Sequence, residues 1–195
     1  MILTLPNAIS FVRIGLVPVF LWLLFGRDDP ASAGLLIGFV GGTDWVDGYL
    51  ARRLDQVSEV GKVLDPVADR LAVAAAVIGG WIAGVLPPWF AVAIISREVL
   101  VGIGAGVLAA RGKARLDVRW FGKVATFALY FAIPAFYVYA GGWSEFFRWF
   151  AWGVGIPGLI LYWYVALQYI GDMRVALRRD RARVSSAGTD PGEAT

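Results

Sequence analysis

The chain has 195 residues, 58% of them hydrophobic and 17% charged, with a mean hydropathy of +0.66 and a formal net charge of +3. This composition excludes an ordinary soluble domain, and so small a net charge gives no argument for nucleic acid. The absence of cysteine excludes disulfides, thiol catalysis and thiolate metal sites. The absence of histidine leaves Asp, Glu, Lys or Tyr as general base and oxygen ligands for any metal, which suits Mg²⁺, Mn²⁺ or Ca²⁺.

A helix crossing ~30 Å of hydrocarbon needs about 20 apolar residues. In chain order, the stretches 9–25, 33–50, 65–86, 89–110, 121–139 and 146–170 approach that length. Only α-helices satisfy the backbone of such segments in lipid, so the expected fold is an all-α integral membrane protein with six transmembrane helices. The N-terminal "MILTLPNAIS" lacks the basic start and small-residue cleavage site of a signal peptide and reads as part of the mature protein. The membrane domain is expected over 1–175. The tail at 176–195 begins basic, ends in small polar residues and is expected to be disordered beyond its first turns.

Pro18, Pro134 and Pro157 interrupt helices that a bundle can tolerate. Gly38 with Gly42, and Gly102 with Gly106, have the four-residue spacing of close helix packing, and "GIGAG" at 102–106 follows no strand and is not a nucleotide fingerprint. Lys and Arg gather in alternate loops: Arg52, Arg53 and Lys62, then Arg111 to Arg119, then Arg174 to Arg183. The opposite loops are nearly free of them. The second and fourth loops and both termini are therefore expected in the cytoplasm.

The unusual feature is "DWVDGYLARRLDQVSEVGKVLDPVAD", residues 44–69. On a helix, Asp44, Asp47, Gly48 and Ala51 share one face, and Asp65 and Asp69 share another across a short loop. Singly, each has a structural reading: Asp65 before Pro66 suits a helix start, and Asp69 could pair with Arg70 or Arg97. Collectively those readings fail, because an Asp at membrane depth costs on the order of 3 kcal/mol and crowded carboxylates also repel. Bound divalent cations remove both penalties. Gly48 and Ala51 leave space beside the helix, and Arg52 offers a planar fork for phosphate oxygens, so the set describes a site for a metal-bound pyrophosphate at the membrane surface.

The pattern Asp44, Asp47, Gly48, Ala51, Arg52, Gly61, Asp65 and Asp69 resembles the complete signature of the CDP-alcohol phosphotransferases. The N-terminal "LPNAISFVRIGLVPVF" extends the resemblance, which is closest to the branch holding phosphatidylglycerophosphate synthases and cardiolipin synthases. The resemblance implies a homodimeric membrane enzyme that binds CDP-diacylglycerol and two divalent cations, Mg²⁺ or Mn²⁺. It assigns the metals to Asp44, Asp47, Asp65 and Asp69 and makes Asp69 the catalytic base. It assigns CDP-diacylglycerol contacts to Asp47, Gly48, Ala51 and Arg52, together with Asn7, Ser58 and Gly61.

The implied reaction moves the phosphatidyl group to an acceptor hydroxyl and releases CMP, as a step of phospholipid biosynthesis. Arg97, Lys113, Arg115 and Lys123 are the candidates for an acceptor's phosphate. Phosphatidylglycerophosphate synthases usually carry a second lysine in the stretch matching "GKVATF", where this chain has Ala125. That departure favours phosphatidylglycerol over glycerol 3-phosphate as acceptor, with inositol phosphate as a further alternative. Two rivals stand outside the family. Membrane prenyltransferases space their aspartates differently and need more helices, and a cation channel needs its carboxylates near the midplane, away from an arginine.

Overall fold

The computed structural model describes the backbone of residues 5–54, 61–110 and 120–187, and side chains within 10–42, 67–107 and 120–171 together with Ala110 and Met173. Among the described residues six α-helices follow one another: α1 (Leu5–Leu21), α2 (Pro30–Leu54), α3 (Gly61–Ile82), α4 (Pro88–Ala110), α5 (Trp120–Ala140) and α6 (Glu145–Ala187). A π-helical turn at Trp22–Gly26 continues α1, and no strand occurs among the described residues.

The helix ends have local causes. Asp29 caps α2 by accepting the Ser32 N–H at 3.0 Å, and Pro30 supplies a preset first helical residue. Ser144 caps α6 through the Phe146 N–H, and Glu145 in that first turn pairs with Arg148 at 2.8 Å. At the end of α3 the chain turns through Gly84 at φ +71°, and Leu86 folds back so that its N–H reaches the Gly80 carbonyl. Hence α3 stops at Ile82, short of the expected 86, and begins four residues before the expected 65. The α6 helix runs to Ala187, past the expected domain end at 175, because Leu, Ala and Arg in "MRVALRRDRAR" are strong helix formers. Residues 188–195 of the expected tail lie outside the described residues.

Among the described residues, three helical stretches are long and apolar enough to cross a membrane: Pro88–Val107, Trp120–Ala140 and Glu145–Gly171. Two shorter apolar stretches, Ser10–Gly26 and Pro30–Gly42, accompany them. Phe11, Val19, Phe39, Ile103 and Leu167 are exposed, as a bundle surrounded by lipid requires.

Helix α5 packs along both α6 and α2, α1 along α3, and α4 along α6. The centre is Tyr137 of α5, fully buried, edge-on to Phe20 at 5.6 Å and donating its hydroxyl to the Ala76 carbonyl of α3. A second knot joins Phe90, Phe136 and Trp152, with Phe136 and Trp152 centroids 4.9 Å apart. The glycine expectation needs correction. Gly38 does meet Pro134, but Gly42 and Gly106 face open space. On α2 the tight position is Gly34, where a Cβ would lie 2.4 Å from the Tyr137 Cβ, followed by Gly41 against Tyr130.

Candidate active site

The sequence pattern across α1 and α3 brings a buried cation to a carboxylate. Arg13 interrupts the apolar "FVRIGL" of α1 and pairs through Nη1 with Asp69 Oδ1 on α3. The Arg13 side chain is 7% exposed and that of Asp69 38% exposed, so the carboxylate keeps an open side. This answers the question of Asp69's partner: the ion pair is with Arg13, while Arg70 lies with Nη1 3.6 Å from where a Cβ on Gly102 of α4 would stand. An intramembrane arginine calls for a carboxylate, and that was the available signal for Arg13.

Asp69 opens on a chamber of about 720 Å³ between α2, α3, α4, α5 and α6, bordered also by Arg13, Arg70, Arg97 and Glu98. Its α2 wall is Ile37, Val40 and Gly41. Helical register carries that same face, at offsets of three, four and seven, to positions 44, 47 and 48. On α3, Asp69, Ala72 and Ala76 line the chamber, and the same register runs back to position 65. The backbone thus aligns the aspartate positions with two helix faces that enclose one chamber, apolar over most of its wall and charged at Arg13, Asp69, Arg70, Arg97 and Glu98. The α3 helix begins at Gly61, so Asp65 sits inside the helix and not at its cap position.

The remaining expected residues divide by location. Asn7 stands on α1, Asp44, Asp47, Gly48, Ala51 and Arg52 on α2, and Gly61 and Asp65 on α3, each with its side chain outside the described residues. Ser58, Lys113 and Arg115 lie outside them altogether. Arg97 and Lys123 are described, and both border a second cavity of about 1040 Å³. That cavity is a groove along α2 and α5, walled by Gly34, Phe39, Phe127, Phe131 and Phe150 and polar only near Arg97, Lys123, Thr126 and the tyrosines. From Gly122 to Val138 it follows α5 for about 24 Å at 1.5 Å per residue.

The two cavities meet at Gly41, Arg97, Thr126, Tyr130 and Pro134. Arg97 therefore has one face toward the Asp69 chamber and one toward the apolar groove. It is held by residues that sequence reasoning missed: Nη1 donates to Glu98 Oε1 at 2.8 Å, and the guanidinium lies 3.9 Å from the centroid of the Tyr162 ring. The Tyr162 hydroxyl donates to the same Glu98 oxygen. Glu98 adjoins Arg97 inside an apolar helix, which was its only signal; nothing in the sequence links either to Tyr162.

The donor set fits hard divalent cations. Four carboxylates on two helices, in a chain with no histidine or cysteine, offer only oxygen.

Comparison with known proteins bears on the same region. The sequence profile of the CDP-alcohol phosphatidyltransferase family matches residues 3–157. A cardiolipin synthase (CMP-forming) of Streptomyces coelicolor is 35% identical over 188 residues, covering 93% of this chain and 87% of that protein. A CDP-diacylglycerol–glycerol-3-phosphate 3-phosphatidyltransferase of Bacillus subtilis is 37% identical over 145 residues, covering 67% of this chain and 75% of that protein. A protein of the same description from Pectobacterium atrosepticum is 33% identical over 138 residues, with coverage of 67% and 75%.

Proposed function

The chain belongs to the CDP-alcohol phosphatidyltransferase family, and from that premise we propose that it transfers the phosphatidyl group of CDP-diacylglycerol to a glycerol-type alcohol and releases CMP. The observation that carries this reading is the shared chamber: the α2 and α3 faces that wall it lead by register to Asp44, Asp47 and Asp65, and Asp69 borders it directly.

In this reading Asp44, Asp47, Asp65 and Asp69 hold two divalent cations, Mg²⁺ or Mn²⁺, which supply charge neutralisation at the pyrophosphate. Asp47, Gly48, Ala51 and Arg52 bind the CDP portion with Asn7, Ser58 and Gly61, the small residues giving room and Arg52 its fork of donors. Asp69 accepts the proton of the acceptor hydroxyl as that oxygen attacks the lipid-bearing phosphorus, and the phosphorus–CMP bond breaks. Arg97 and Lys123, with Lys113 and Arg115, bind the acceptor's phosphate. The enzyme works as a homodimer with six crossings in the cell membrane. Both termini and the aspartates face the cytoplasm, as the Lys/Arg-rich loops support.

Phosphatidylglycerol is the acceptor that the observations favour. The cardiolipin synthase match extends over 93% of this chain against 67% for the glycerol-3-phosphate enzymes. Ala125, where a second lysine would mark glycerol phosphate use, is fully buried in the core. A lysine there would have to displace its packed neighbours. Glycerol 3-phosphate is the second reading, supported by the cationic pair Arg97 and Lys123 beside one cavity.

Purified protein supplied with CDP-diacylglycerol, Mg²⁺ or Mn²⁺, and either phosphatidylglycerol, glycerol 3-phosphate or inositol phosphate tests this directly. Metal-dependent CMP release with cardiolipin as product is expected. Phosphatidylglycerophosphate as the product would reverse the order of acceptors, and no CMP release with any acceptor would sink the transferase reading.

A further inference from the structure

Arg97, Glu98 and Tyr162 form a closed cluster in which the reaction gives work only to the arginine. Arg97 is 9% exposed. Glu98 Oε1 accepts from both Arg97 Nη1 and the Tyr162 hydroxyl, and the Tyr162 ring underlies the guanidinium. Three mutual contacts, one within α4 and two between α4 and α6, fix the plane and rotation of that guanidinium. Its Nε is buried and has no hydrogen-bond partner among the described residues. An orphaned buried donor costs about 1–3 kcal/mol, so an arginine held this way is a poor purely structural choice. The site tolerates it at the junction of the two cavities, where Arg97 borders the Asp69 chamber on one side and the Lys123 end of the groove on the other.

We propose that Glu98 and Tyr162 are positioning residues that aim Arg97 at the acceptor, making it the anion site for a phosphate mono- or diester that also carries the reacting hydroxyl. The inference rests on the transferase reading and deepens it: the arginine of the acceptor site is held in place by α4 and α6, apart from the aspartate helices that take the nucleotide. Glu98 balances the arginine's charge while occupying only one of its donors, and the aromatic ring supports the flat face without competing for a hydrogen bond. Phosphate oxygens can then take the donors left over. Because Glu98 acts through Arg97, losing it should weaken acceptor binding and leave CDP-diacylglycerol binding alone.

The test compares wild type with Glu98→Ala, Glu98→Gln, Tyr162→Leu and Tyr162→Phe, using the full chain in detergent and separate assays with phosphatidylglycerol and glycerol 3-phosphate. Glu98→Ala and Tyr162→Leu should raise the KM for the working acceptor roughly tenfold while the KM for CDP-diacylglycerol stays within about twofold. Glu98→Gln should recover most of the loss, since its amide oxygen still accepts both hydrogen bonds. Whichever acceptor shows the shift identifies the source of the phosphate, a lipid headgroup or a free ester. Equal rises in both KM values, an unchanged acceptor KM, or a Gln variant as poor as Ala would overturn the proposal. If Glu98→Ala does not fold, Tyr162→Phe decides: a rise of about threefold or more in acceptor KM supports the assignment, and no rise overturns it. Wild-type protein inactive with both acceptors is a separate outcome that removes the transferase reading and this inference with it.

Discussion

Arg13 on α1 and Asp69 on α3 are joined by an ion pair at the edge of the chamber, the arginine almost fully buried and the aspartate partly exposed. The pair ties the first helix to the third and holds the proposed base to a fixed neighbour. Removing the carboxylate alone strands the buried Arg13 charge in low dielectric, whereas removing both charges does not. Asp69→Asn and Arg13→Met should each lower stability by about 1–3 kcal/mol, and the double variant should lose less than their sum. Thermal unfolding in detergent measures this, and strict additivity would show that the two side chains do not depend on each other.

The same aspartate separates structure from chemistry. If Asp69 is the proposed acceptor of the hydroxyl's proton, an amide cannot replace it, and Asp69→Asn should lower CMP release by about two orders of magnitude or more. Metal affinity, read by titration of the purified protein, should fall much less because three carboxylates remain. Full turnover with normal metal binding would remove Asp69 from the role of base.

Helix α2 sits against α5 through a row of residues without side chains. A Cβ at Gly34 would stand 2.4 Å from the Tyr137 Cβ and 2.9 Å from the Pro134 carbonyl, neither of which can swing aside. Gly34→Ala should therefore cost about 1–3 kcal/mol in overpacking. Gly42→Ala meets nothing within 4 Å and should change stability by less than about 1 kcal/mol. Equal effects at the two positions would disprove this packing.

Much of this architecture could be read from residue order alone, because lipid leaves the backbone few options. Among the described residues six apolar stretches became six helices, and the aspartate positions continue by register the faces that wall the chamber. What escaped depends on pairing between distant segments. Glycine spacing named Gly42 and Gly106, but which glycines are tight depends on where Tyr137, Pro134 and Tyr130 fall on the facing helix. The Glu98–Tyr162 hydrogen bond joins residues 64 apart, and no local pattern encodes that. Helix α2 starts at Pro30, three residues before the expected 33, because the Asp-Pro start signal in "DDPAS" and not the apolar run sets its first turn.

That start signal has a pH consequence. Asp29 has its carboxyl held below the usual aspartate range by the Ser32 hydroxyl, the Ser32 N–H and the charge of Arg27. A depressed folded pKa contributes stability that is present above the unfolded value and is lost as pH falls through the folded one. The advantage of wild type over Asp29→Ala should therefore be constant near neutral pH and shrink as pH drops below the ordinary carboxylate range. Asp29→Asn, a good uncharged cap, should show no such dependence. Unfolding midpoints against pH would settle it, and an advantage that grew on acidification would contradict the cap.

The acceptor question comes down to two positions two residues apart on α5. Lys123 is exposed at the groove mouth, while Ala125 is fully buried in the core. Lys123→Met should leave stability within about 0.5 kcal/mol of wild type, as surface changes do, while weakening the acceptor's phosphate contact. Ala125→Lys must bury an ammonium and its chain where only a methyl fits, which should cost at least about 2 kcal/mol. It should also fail to bring glycerol 3-phosphate activity, since the added charge has no path from the core to the groove. A stable Ala125→Lys protein that turned over glycerol 3-phosphate would show that the missing lysine alone had set the acceptor.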